Sequence, residues 1–170
     1  RCISYMYQRG LDNLAASLLA AGVARAMQPG GTVADVCNTI LRFAPKEPLQ
    51  VFYKTRFNSA YDYLEECFEI AVRYDDPLAA RPELYEKCLM YHHIDPLELF
   101  GLSLAMLLIS KGDVRQAAIG GANIGRDADT TCGRAAMFAG TLSGAGNVPA
   151  EWIKLFSPGS LARLETNSHK

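Results

Sequence analysis

The chain has 170 residues, the span of one ordinary domain, and 49% of them are hydrophobic, enough for one substantial core. Seventeen basic residues against eighteen acidic ones leave a net charge of −1, so no basic field exists to hold a nucleic-acid backbone. The five cysteines (Cys2, Cys37, Cys67, Cys88, Cys132) form neither a C-x-x-C pair nor a zinc-finger spacing and read as reduced thiols of a cytoplasmic protein, and no apolar run approaches the ~20 residues that cross a membrane.

The sequence starts at Arg1 rather than Met and runs at once into Ile3-Ser4-Tyr5-Met6-Tyr7, which predicts a processed or truncated product missing an amino-terminal part. From Leu11 to Met27, Leu14, Leu18, Leu19 and Val23 share one stripe among alanines, which predicts a helix that Asp12 or Asn13 can cap. Pro29-Gly30-Gly31 ends it. Thr32 then caps a second helix running to about Phe43, with Val33, Val36, Ile40 and Leu41 at helical spacing. Aromatic and aliphatic residues recurring every three or four positions between Leu49 and Tyr74 predict one long amphipathic helix. Asp75-Asp76-Pro77 stops it as a solvated turn, and a short helix is predicted from Pro82 to Met90.

Tyr91 to Pro96 reads as a connector, His92 and His93 being ordinary polar residues there. Asp95 caps the strongly apolar segment Leu97 to Ser110, whose Leu102, Ala105, Met106 and Ile109 fit a nearly buried helix. Lys111-Gly112-Asp113 ends that helix and caps the next, Val114 to about Ala122. Residues 123–126 read as a loop, Asp127 to Ser143 as a helix rich in small residues, and Pro149 as the start of a terminal turn containing Trp152. In the small-residue helix Ala135, Ala136, Ala139, Gly140 and Gly144 form a smooth face for close approach of another helix, and Cys132 reads as a packed residue. No segment alternates apolar and polar residues over a strand's length, so the chain reads as all-α.

The chemistry concentrates in residues 122–131, where Asp127 and Asp129, followed by Thr130 and Thr131, supply hard oxygens of the kind magnesium, manganese or calcium prefers. Acidic residues in a first helical turn are also favourable with no metal at all, so an ordinary helix cap stays open. An EF-hand starting at Asp127 would need Gly at Cys132 and Glu at Phe138, and a dinucleotide fingerprint fails at Ala122. Arg126 can reach a substrate phosphate with its fork of donors or balance the two aspartates.

Residues 102–152 resemble the carboxyl-terminal signature of the ADP-ribosylglycohydrolase family. The pieces are Lys111-Gly112-Asp113, Asn123-Ile124-Gly125-Arg126-Asp127-Ala128-Asp129-Thr130, the small-residue run from Ala135 to Gly140, and Pro149-Ala150-Glu151-Trp152, with Arg126 in place of the second glycine of the commoner Gly-Gly-Asp form. A weaker likeness covers residues 15–45, and residues 46–93 match only in being helical. The resemblance implies a compact orthogonal bundle lacking its amino-terminal part, with residues 1–170 the carboxyl-terminal portion of one all-helical domain. It implies two Mg2+ or Mn2+ ions per complete site, with Asp127, Asp129 and Thr130 as metal ligands, and hydrolysis of the glycosidic bond of an ADP-ribosyl group on a protein or small acceptor. The family's upstream Gly-Asp-x-x-Gly and Thr-Asp-Asp-Thr motifs do not occur in these 170 residues, so the half-site expects the amino-terminal half of the same protein as partner. A hydrolase of free nucleoside or nucleotide glycosides, or a silent crystallin-like structural member, are the alternatives.

Overall fold

The computed structural model describes residues 10–160 and 162–163; Cys2 and the Ile3–Tyr7 stretch lie outside them. Seven longer helices follow in order: α1 (Gly10–Ala26), α2 (Val33–Phe43), α3 (Ala60–Ala71), α4 (Pro77–Cys88), α5 (Pro96–Ile109), α6 (Val114–Asn123) and α7 (Ala128–Ser143). A short turn at Ala145–Asn147 and the one-turn helix α8 (Ala150–Ile153) follow, residues 158–160 and 162–163 are helical too, and the described residues hold no strand. The all-α expectation is met.

α5 is the axis of the bundle. Apart from Pro96 and Leu108 its residues are buried, and it packs against α1, α2, α3, α4, α6 and α7. A helix that is apolar all round has to be enclosed on every side, and Leu102, Leu104, Ala105, Met106 and Leu107 are fully covered. Tyr63 of α3 is buried beside them, its hydroxyl donating to the Cys88 carbonyl at 3.0 Å. Burial pushes the Cys37 thiol up to about 12, in keeping with an unreactive packed cysteine.

The segment read as one helix from 49 to 74 is two different things. Helix α3 begins only after Ser59, whose hydroxyl accepts from the Asp62 amide at 3.0 Å while the Asp62 carboxylate accepts from the Ser59 amide at 3.1 Å. This reciprocal capping box fixes a helix start in mid-pattern. Residues 49–58 instead loop back on themselves, the Leu49 amide donating to the Asn58 carbonyl at 2.7 Å, and Phe52 is left 89% exposed. The start of α4 also differs from the expected Pro82. Asp76 accepts from the Leu78 and Ala79 amides, and Pro77 takes the first helical position, where its missing N–H costs nothing. At α1 the helix already includes Asp12 and Asn13, so neither caps it.

The small-residue face of α7 is divided rather than continuous. Ala135 and Ala139 are buried in the core, whereas a side chain at Gly140 would meet open space. The close approach is made by α6 instead, where a Cβ on Gly121 would lie 2.5 Å from Cα of Cys132. That contact places the end of α6 directly against the start of α7.

Candidate functional site

Helix α6 ends at Asn123, and the chain must reverse within four residues to enter α7 antiparallel beside it. Gly125 (φ +82°) and Arg126 (φ +62°) make that reversal, two successive residues in the left-handed region. For glycine this is free, while for a residue with a Cβ it costs about 1–2 kcal/mol, so Arg126 has to be held there by its side chain. The turn is tied from both flanks. The Tyr85 hydroxyl of α4 donates to the Ile124 carbonyl at 2.5 Å, and Ile124 itself is buried. Arg126 donates from Nε to Glu98 Oε1 at 2.7 Å and from Nη2 to Glu98 Oε2 at 2.9 Å, a bidentate fork. Two of the donors of Arg126 are committed to Glu98 on α5, and this pairing raises its already high pKa.

Asp127 follows as the N-cap of α7. Its backbone carbonyl takes the first helical bond, from the Thr131 amide at 3.1 Å, and the Thr131 hydroxyl at the same distance. Its side chain makes no cap bond. The Asp129 carboxyl is held below the usual carboxylate range, by the neighbouring Asp127 side chain first and then by the amides of Asp129 and Thr130. Asp127 at the N-cap and Asp129 in the first turn thus stand at the amino terminus of α7, with Thr130 half-buried in the same turn. Arg134 is half-buried on α7 and lines a cavity of about 240 Å³ with Asp12, Ala15, Leu19, Pro96 and Phe100. Burial raises the Cys132 thiol, and the charge of Asp129 adds to this, so the cysteine is not an activated nucleophile.

Glu98 is the residue that sequence reasoning missed. It is fully buried, and its Oε2 also accepts from the Met90 amide at 2.6 Å. A signal was present, since Glu98 is the lone charge between Asp95 and Lys111 and a buried charge demands a partner. It was masked because Asp95-x-x-Glu98 has the spacing of a capping box. Asp95 does cap α5, accepting from the Leu97 amide at 2.9 Å and the Glu98 amide at 3.2 Å, and it also accepts from the Tyr53 hydroxyl. The Glu98 side chain turns the other way, to Arg126.

The other candidates lie apart from this constellation. His92 and His93 are exposed with their rings 4.2 Å apart, the His92 Nδ1 accepting from the Ile94 amide at 3.3 Å. Asp76 is spent on capping α4, and Asp75 pairs with Lys111 at 2.7 Å in the open. Among the described residues no three His, Cys, Asp or Glu side chains gather as a metal cluster. For a magnesium-type ion the donors at α7 nevertheless fit in kind: two carboxylates one residue apart, one of them free of capping, and a hydroxyl in the same turn, all hard oxygens. They form part of the usual shell of six.

The sequence model of ADP-ribosylglycohydrolase matches residues 8–166. The chain belongs to the ADP-ribosylglycohydrolase family. The match runs unbroken through residues 46–93, where the sequence pattern offered only helicity, and the all-helical fold agrees with it. No curated protein and no solved structure matches the chain. Among the described residues of this family member no helix is long and apolar enough to cross a membrane.

Proposed function

We propose that this family member hydrolyses the glycosidic bond of ADP-ribosyl groups carried on a protein side chain or a small acceptor, with divalent metal ions, Mg2+ or Mn2+, held in part by Asp127, Asp129 and Thr130. The observation that carries the reading is the placement of Asp127 and Asp129 at the start of α7, with the Asp127 carboxylate left out of capping, in a chain matched by the family model at 8–166. Two carboxylates brought together repel each other, and a doubly charged cation removes that repulsion. When bound, such ions supply Lewis acidity toward the ribose hydroxyls and lower the pKa of the attacking water. The chain's own residues do the positioning: Asp127 and Asp129 present oxygens, Thr130 adds a neutral donor, and the helix dipole of α7 favours the negative charge that the carboxylates bring. The rest of the metal shell comes, in this proposal, from a polypeptide carrying the upstream motifs, the amino-terminal half of the same protein.

The test is release of ADP-ribose from an ADP-ribosylated protein, followed with Mg2+, with Mn2+ and with a chelator. Metal-dependent release that the chelator abolishes is the expected result. Turnover that ignores the chelator, or turnover of free nucleoside glycosides with none of ADP-ribosyl substrates, overturns the proposal.

A further inference from the structure

We propose that Glu98 and Arg126 are a positioning pair for the Asp127/Asp129 site, holding residues 124–127 in the one conformation that lifts the Asp127 carboxylate off the α7 backbone and sets it beside Asp129. The metal-hydrolase reading above supplies what the two carboxylates would then hold; the pairing itself stands on independent observations.

Glu98 sits fully buried as the lone charged residue of its helix, and the hydrogen bonds of its side chain go to two segments, the Met90 amide and the Arg126 fork. Fold stability alone does not call for such a group, because buried ion pairs are commonly replaced by apolar residues without loss. What the pair secures is a direction. Arg126 occupies a left-handed conformation that its own Cβ disfavours, beside Gly125 in the same region, and its guanidinium is pinned at 2.7 and 2.9 Å to a carboxylate on the central helix. The other end of the turn is pinned by Tyr85 at Ile124. Between these two fixed points the chain enters α7 so that Asp127 reaches the N-cap position with φ −87° and ψ +73°, its side chain making no cap bond. An arginine whose fork is closed on Glu98 acts on the site through its backbone rather than by receiving a substrate phosphate. Lysine cannot substitute for it, since a single ammonium offers no planar pair of donors.

The experiment compares the 170-residue chain with Arg126→Lys and Glu98→Gln, the second keeping side-chain shape where the first risks disturbing the fold. Three quantities are read: amide hydrogen exchange along the chain, the carboxylate carbon resonances of Asp127 and Asp129 at fixed pH, and Mn2+ affinity from water-proton relaxation. Both variants are expected to speed exchange at 124–131 about tenfold more than in α3. They should also displace the Asp127 resonance and weaken Mn2+ binding about tenfold, as loss of an outer-shell support does. Acceleration equal in α3 and the turn, or an unmoved Asp127 resonance, overturns the positioning role. A wild-type chain that binds no Mn2+ counts against the metal reading alone, and the exchange and resonance data still decide whether the pair positions Asp127.

Discussion

Helices α6 and α7 lie side by side, and both start at an aspartate, but the two aspartates do opposite things. Asp113 caps α6 in the ordinary way, its carboxylate accepting from the Gln116 amide at 2.7 Å. Asp127 occupies the same position on α7 and leaves those amides alone. Thr32, Ser59, Asp76 and Asp95 side with Asp113, each accepting a backbone amide of its own helix. The local sequence does not explain the exception, since the same residue type stands at both helix starts. The difference lies in the approach: α6 is entered from Lys111-Gly112, whereas α7 is entered through the Gly125-Arg126 turn clamped by Tyr85 and Glu98. A side chain withheld from its helix by tertiary contacts is a side chain available for something else, and the family match gives that availability a meaning.

The largest effect should come from changing charge at α7 while leaving shape intact. Asp129→Asn is expected to cut metal-dependent hydrolysis by more than about 100-fold, beyond what losses in the outer shell of a metal site usually cost. Its metal-free melting temperature should stay near the wild-type value, because an amide oxygen can still accept at a helix start. Undiminished turnover in the variant would reduce α7 to another α6. Arg126→Ala comes next, as a loss of stability: it leaves the buried Glu98 without its partly exposed cation, and a buried group left without its partner costs about 1–3 kcal/mol. Urea unfolding reads this directly, and a loss below about 1 kcal/mol would mean that the turn does not depend on the fork.

The third test pairs the two caps. Asp113→Ala removes a real cap bond and should lower stability by about 1 kcal/mol, whereas Asp127→Ala has no such bond to lose and should stay within about 0.5 kcal/mol of wild type. Equal losses in the two variants would show that Asp127 caps in solution after all.

How much of this was readable in sequence follows the range of the interactions. The starts of α5 and α6 are set by Asp95-Pro96 and Asp113, signals that act within one turn, and they fall where the residues say, while α7 starts next to Asp127 without a side-chain cap. The helix read across 49–74 failed because aromatic spacing of three and four also suits a loop that folds back, and Ser59-x-x-Asp62 decides the start of α3 more strongly than periodicity does. The adjacency of Asp127 and Asp129 was legible as two oxygens one residue apart. The fork beneath them was not, because Glu98 and Arg126 are 28 positions apart and meet only once α5 and the α6–α7 turn are packed. The expected smooth face of α7 failed for a related reason: the close contact depends on Gly121, on the neighbouring helix.

The smallest effect concerns a carboxylate whose work is wholly structural, a reference against which α7 can be judged. Glu83 on α4 accepts from Lys87 at 2.7 Å, from Arg73 at 2.8 Å and from the Tyr74 hydroxyl at 2.9 Å, tying α4 to the end of α3. The Lys87 hydrogen bond first, then Arg73 and Tyr74, hold its carboxyl down to about 2. In an unfolded chain a glutamate titrates near 4.3, so the folded state binds fewer protons between these values. The sign follows: the cluster contributes stability above about pH 4.5, and that contribution is lost as pH falls toward about 2. Lys87 and Arg73 are well exposed, so the effect is modest and should shrink further in 1 M salt, where screening acts within about 3 Å. Melting curves of the wild type and Glu83→Gln should therefore differ most near neutral pH and converge between about pH 4.5 and 2. Curves that run parallel across that window would remove Glu83 as the structural reference, because its partners would then contribute nothing that protonation can take away.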